Sequence, residues 1–105
     1  MKTLDLSLNA KWYEMIEKGI KLEEYRQIKE FWIKRLFENP QLYNLQLLFS
    51  SKIEFKHYDA IRFRYGYTKR TMLFKLDSIS IGVGKSEWGA PKEKVFILKL
   101  GEKIE

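Results

Sequence analysis

Cysteine is absent from the 105 residues, and histidine occurs once, at His57. Without thiols the chain can form neither a disulfide nor a thiolate metal site, and one imidazole cannot build a histidine-rich one. Neither a metal nor a cofactor is therefore expected. No apolar run approaches the roughly 20 residues that a bilayer-crossing helix needs, so no membrane partner is expected either. The first residues lack the long apolar stretch and small-residue cleavage site of a secretory leader. Together these absences lead to the expectation of a cytoplasmic protein. No internal repeat and no low-complexity linker divides the chain. Its length suits one domain over residues 1–105, with room for a single core. Nothing in the sequence fixes the oligomeric state.

What is plentiful is positive charge and aromatic surface. Lys and Arg number 20 against 14 Asp and Glu, a formal net charge of +6, and aromatics make up 15% of the chain. Excess positive charge favours encounter with phosphate backbones in a salt-dependent way, so RNA or a nucleoside or nucleotide is the expected partner. The competing explanation is that a modest basic excess serves solubility alone.

The hydrophobic pattern sketches a small α+β fold. Leu4, Leu6 and Leu8 alternate with Thr3, Asp5 and Ser7, the period of a half-buried strand. Asn9 suits an N-cap for a helix from Ala10 to about Lys18, with Trp12, Met15 and Ile16 as its apolar stripe. On that face Trp12 reads as core rather than as a base-stacking platform. Gly19 supplies the stop. A strand from Lys21 to Gln27 follows, then a helix from Lys29 to Phe37 with Trp32, Ile33, Leu36 and Phe37 on its buried side. Asn39-Pro40 breaks the chain. A third helix is expected over Gln41 to Phe49, inside a decorating insertion at about 38–55.

Asp59 to Tyr67 alternates again, placing Ile61, Phe63 and Tyr65 opposite Arg62 and Arg64. Two arginines on one strand face, flanked by tyrosines, make either a phosphate-and-base surface or an ordinary polar exterior. Tyr67 to Arg70 reads as a turn. Thr71 to Val83 reads as a long strand or strand pair, with bends or bulges at Gly82 and Gly84. Lys85 to Pro91 is a loop around Trp88, which can stack on a base or plug the end of a barrel. Val95 to Leu100 is the closing strand, followed by a frayed tail. The whole suits a small barrel of about five or six strands with two or three flanking helices.

Gly19-Ile20-Lys21-Leu22-Glu23-Glu24-Tyr25-Arg26 concentrates charge directly after the helix stop. In a regular strand Leu22, Glu24 and Arg26 share a face and Lys21 points the other way. Lys21 can approach Glu24 only if the helix exit bends the chain or a bulge intervenes. Glu24 and Arg26 can pair without such help, so a structural ion pair stands beside the reading as a working site.

Gly19, Lys21, Glu24 and Arg26 spell G-x-K-x-x-E-x-R, which resembles the signature of the ASCH domain family. Trp12-Tyr13, Trp32-Ile33-Lys34-Arg35-Leu36, Phe63-Arg64-Tyr65-Gly66-Tyr67 and Glu87-Trp88-Gly89-Ala90-Pro91 look like further blocks of bacterial and phage ASCH proteins, with 38–55 the least similar stretch. The resemblance implies a β-barrel similar to the PUA RNA-binding fold, and a polar cleft that binds RNA or a modified nucleoside. Lys21 would contact phosphate or an oxyanion. Glu24 would read a base edge or act as a base, with Arg26 orienting it. Arg35, Arg62 and Arg64 would supply a basic rim, and Tyr67 or Trp88 a stacking face.

The resemblance also raises hydrolysis as an alternative. ASCH-type amidohydrolases that deacetylate acetylcytidine use a lysine, a threonine three places on and a downstream glutamate. Lys21 matches the lysine, but Glu24 stands at the threonine position and has no hydroxyl to activate. Metal-independent ribonuclease chemistry is also described in the family. There a cation would stabilise the phosphorane while Glu24 deprotonates a 2′-hydroxyl. A structural or partner-binding domain without catalysis is the remaining alternative.

Overall fold

The computed structural model describes residues 1–43 and 53–105. Five strands, β1 (Thr3–Leu8), β2 (Glu23–Arg26), β3 (Ala60–Tyr65), β4 (Thr71–Gly82) and β5 (Val95–Lys103), form one sheet in the order β1-β3-β4-β5-β2. The β1–β3 pair is parallel and the other pairs are antiparallel. The sheet curls into a half-barrel against two helices, α1 (Ala10–Glu17) and α2 (Glu30–Leu36). Its open edges, β1 and β2, approach closely enough for the Arg26 guanidinium on β2 to donate to the Ser7 carbonyl on β1 at 3.2 Å. That side chain bridges the gap between the two edges of the half-barrel, its seam.

The core follows the alternation in the sequence. Leu4, Leu6 and Leu8 of β1, Ile61 and Phe63 of β3, and Phe96, Leu98 and Leu100 of β5 are all buried. Each such side chain contributes about 1.5–3 kcal/mol by leaving water. Phe37, Phe55 and Phe96 meet edge-to-face at 5.5–6.3 Å, and a bridge between Phe37 and Phe55 ties the exit of α2 to the approach to β3.

α1 is capped by Asn9 Oδ1, which accepts from the Trp12 amide at 3.2 Å. Its buried residues are Tyr13 and Ile16, with Trp12 and Met15 only half-buried, so the apolar face is turned from the expected stripe. Tyr13 wins the inner place by packing edge-on against Tyr65 at 5.0 Å. At the far end the Ile20 amide bonds the Met15 carbonyl and the Gly19 amide bonds the Ile16 carbonyl. This is a Schellman turn, and it requires the left-handed backbone that Gly19 adopts at φ +75°.

Other boundaries also differ from the sequence reading. β2 begins only at Glu23, and Leu22 is exposed while Glu24 is buried, because the turn after α1 interrupts the strand's alternation. β3 stops at Tyr65, where the chain turns at Gly66 and leaves Tyr67 fully exposed. β4 is one unbroken strand whose register shifts fall between Phe74 and Ser78 rather than at its glycines. β5 runs on to Lys103, and the Ile104 and Glu105 amides both bond the Leu73 carbonyl, so the tail is paired rather than frayed. Of the expected third helix a 3-10 turn at Pro40–Leu42 and a helical Tyr43 are described, and positions 44–52 lie outside the described residues. Among the described residues no helix is long and apolar enough to cross a membrane.

Candidate functional site

Lys21, Glu24 and Arg26 converge at the seam. The Schellman turn folds the chain back as it leaves α1, so Lys21 enters from outside β2's alternation and points inward. Its Nζ lies 3.2 Å from Glu24 Oε1, with the two side chains 0% and 5% exposed. It also donates to the Trp88 carbonyl, and it sits 5.0 Å from the Trp12 ring centroid and 4.8 Å from that of Tyr25. Burial drives the Lys21 pKa down, and the neighbouring Glu24 carboxylate pulls it back up.

Glu24 and Arg26 share one face of β2, as a regular strand requires, and Arg26 Nη1 meets Glu24 Oε2 at 2.9 Å. Glu24 Oε1 also accepts from the Tyr25 amide at 3.1 Å. Both carboxylate oxygens are thus occupied, one by Lys21 and a backbone N–H, the other by Arg26. Arg26 is tied further by bonds to the Tyr25 carbonyl at 2.9 Å and the Ser7 carbonyl at 3.2 Å, and its side chain is 20% exposed. A guanidinium has five N–H donors. Three serve these bonds among the described residues, which leaves two free.

The two ends of the cluster have different walls. On the Lys21 side, the turn at Ser86–Trp88 folds over the ammonium. Gly89 lets it do so: its φ is +94°, and a Cβ there would stand 2.8 Å from the Trp12 ring. Tyr25 holds the same loop by accepting from the Lys85 amide at 3.1 Å and donating to Glu23 Oε1 at 2.8 Å. Burial pushes the Tyr25 phenol up to about 12. Gly84 belongs to this contact, since a side chain there would strike the Tyr25 ring. On the Arg26 side stands α2, with the Arg26 guanidinium 5.3 Å from the Trp32 ring centroid and Arg35 at 5.6 Å from the same ring.

No family model matches this chain, and no curated protein or solved structure matches it either. The site therefore rests on its own geometry. Among the described residues no group of three or more His, Cys, Asp or Glu is placed to hold a metal ion.

The remaining basic residues from the sequence fall into two sets. Arg35 belongs to the seam through Trp32. Among the described residues its Nε is buried with no hydrogen-bond partner, and it makes no ion pair. Arg62 and Arg64 lie on the outer face of β3, beside Asp5 and Ser7 of β1. Arg62 stands 3.9 Å from Asp5 Oδ1, and Arg64 donates to the Thr68 carbonyl at 3.0 Å. Ser7 links this groove to Arg26, whose bond it accepts. Tyr67 stands in solvent at the turn that follows. Trp88 is half-buried under the Lys85 ammonium at 4.5 Å. The walls of the site, Trp12, Tyr25 and Trp32, escaped the sequence reading. Tyr25 was signalled only by lying inside the motif, and Trp32 only by its helical spacing from Arg35.

Proposed function

We propose that this protein binds RNA or a modified nucleoside at the seam, with Arg26 as the phosphate-holding group. The observation that carries the reading is the state of Arg26. It is immobilised by three acceptors, partly exposed, beside an indole, and left with two donors that are free among the described residues. A fixed guanidinium of this kind loses little freedom on taking a phosphate and forms short charge-assisted bonds with it. Arg35, and Arg62 and Arg64 across Ser7, extend the positive rim on both sides of it.

In this reading Glu24 is a positioning group. Its oxygens already accept from Lys21, Arg26 and the Tyr25 amide, and its side chain is only 5% exposed, so a substrate proton has little access to it. Lys21 anchors the carboxylate from below. It would meet a ligand only after the Trp88 carbonyl had moved off its ammonium.

Fluorescence anisotropy with a labelled single-stranded RNA, repeated from low to moderate salt, tests the proposal. The unaltered protein should bind with an affinity that falls as salt rises. Arg26→Ala should weaken binding about ten- to a hundredfold, the scale of a lost charged hydrogen bond. It should also flatten the slope of log K against log salt by about 0.7. Binding that is absent at low salt, or unchanged in Arg26→Ala, refutes the reading.

A further inference from the structure

α2 places an aromatic pair and an uncompensated cation side by side next to the seam. Phe31 is 59% exposed and packs edge-to-face on Trp32, with centroids 5.0 Å apart. The Arg35 guanidinium lies 5.1 Å from the Phe31 centroid and 5.6 Å from that of Trp32. No carboxylate among the described residues pairs with Arg35, although Lys34 one position earlier is paired with Glu30 at 3.1 Å. Glu30, Phe31, Lys34 and Arg35 line an open hollow on this face.

A lone exposed phenylalanine means little, since folded proteins leave much apolar surface in water. This one differs in its setting. Arg35 packs against two rings, which fixes it, and among the described residues it has no anionic partner, which leaves its charge unspent. Trp32 in turn connects it to Arg26, the group already assigned to phosphate. Flat π surface alternating with fixed cations is the arrangement that takes up single-stranded nucleic acid, whose unpaired bases can stack while the backbone follows the charges. A duplex hides those π faces and presents its phosphates on a wider, stiffer surface.

We infer that Phe31 is a stacking platform for an unpaired base and that Arg35 takes the phosphate next along the strand from the one on Arg26. The inference rests on the reading of Arg26 given above, and it narrows the ligand to single-stranded RNA. Trp32 is the spacer that holds the two guanidiniums at their separation.

The test compares a labelled single-stranded RNA of mixed sequence with its blunt duplex, on the full chain, across a salt series. The single strand should bind at least about tenfold more tightly than the duplex. Phe31→Leu removes the flat ring but keeps an apolar side chain. It should weaken single-strand binding about tenfold with the salt slope unchanged, and Phe31→Tyr should restore it, since stacking tolerates any aromatic face. Arg35→Gln should lower the slope by about 0.7 with the ring left in place. Melting temperatures of the variants are recorded alongside. If Arg35→Gln unfolds, the Phe31 pair decides alone, because an exposed position tolerates both substitutions. Equal affinity for duplex and single strand overturns the inference. So does native-like binding by Phe31→Leu while Arg26→Ala still shows its weakened binding, a result that leaves the Arg26 reading standing. No binding by the unaltered protein removes both.

Discussion

Lys21 and Arg26 share one carboxylate, Glu24, yet one cation is sealed from water and the other reaches it. Lys21 has its ammonium closed in by Glu24, the Trp88 carbonyl and two rings, which is costly for a compact, strongly hydrated charge. Arg26 carries a diffuse charge, keeps a fifth of its side chain exposed, and satisfies two backbone carbonyls at the sheet edges. The same short motif therefore supplies a buried foundation at one end and a solvent-reaching cation at the other. Glu24 joins the two, with one oxygen on Lys21 and the Tyr25 amide and the other on Arg26.

Removing the shared member breaks the comparison most severely. Glu24→Gln leaves the Lys21 charge buried without a carboxylate, and stripping one partner from a buried pair costs about 3–5 kcal/mol. Lys21→Met keeps the length and apolar stem of the side chain, and Glu24 retains Arg26. That variant should lose only about 1–2 kcal/mol, because the lost bonds to Glu24 and the Trp88 carbonyl are offset by no longer burying an ammonium. Urea unfolding of both, on one chain background, measures the asymmetry. Equal losses would mean that Lys21 and Arg26 do not differ as described.

The walls around Lys21 sharpen the comparison through pH. The Tyr25 pKa is raised from 10.0 to about 12 in the folded chain by burial. A group whose folded pKa is raised contributes stability that is intact below its unfolded value and lost as pH climbs to the folded one. Stability should therefore decline by about 2–3 kcal/mol across that alkaline interval. Tyr13 and Tyr58, raised in the same direction, add to the decline. Lys21 works with the opposite sign. Its lowered pKa means that the cost of burying its charge eases as pH rises toward the usual lysine value. Tyr25→Phe should flatten the decline in a series of melting temperatures above pH 9. An unchanged decline would place the titration elsewhere.

Where the sequence could be read, periodicity and capping did the telling. β1 and β3 appear as alternation, and α1 is bracketed by an Asn9 cap and a Gly19 stop that both keep their expected places. What alternation could not supply was contact between residues distant in sequence. The turn of α1 toward Tyr13 depends on Tyr65, and the pairing of the C-terminal tail depends on Leu73. For the site, strand parity brought Glu24 and Arg26 together and correctly demanded a bend before Lys21 could join them. Ser7, Trp88 and Trp32 come from other elements, and only the curl of the sheet brings them to the motif. Arg62 and Arg64 show the reverse limit. Their shared strand face was legible, but not that Asp5 and the Thr68 carbonyl engage them there.

The smallest expected effect concerns the loop that seals Lys21. Gly89 combines a φ of +94° with a ring 2.8 Å from where a Cβ would stand. Alanine there would meet backbone strain of about 1–2 kcal/mol, and the loop would have to shift away from Trp12. Because the turn is at the surface and can lift without disturbing the buried strands, most of that strain should be relieved by local opening. Gly89→Ala should then lower stability by about 1 kcal/mol while exposing Lys21, which Trp88 and its turn cover on that side. Amide exchange at Lys85 and Trp88 should quicken, and Lys21 should become open to acylation by a lysine-directed reagent that spares it in the unaltered protein. The Arg26 end should notice little, and RNA affinity should stay within about threefold of native, because the three acceptors that fix Arg26 belong to β1 and β2 rather than to the loop. A large loss of affinity in Gly89→Ala would show instead that the two ends of the motif act as one.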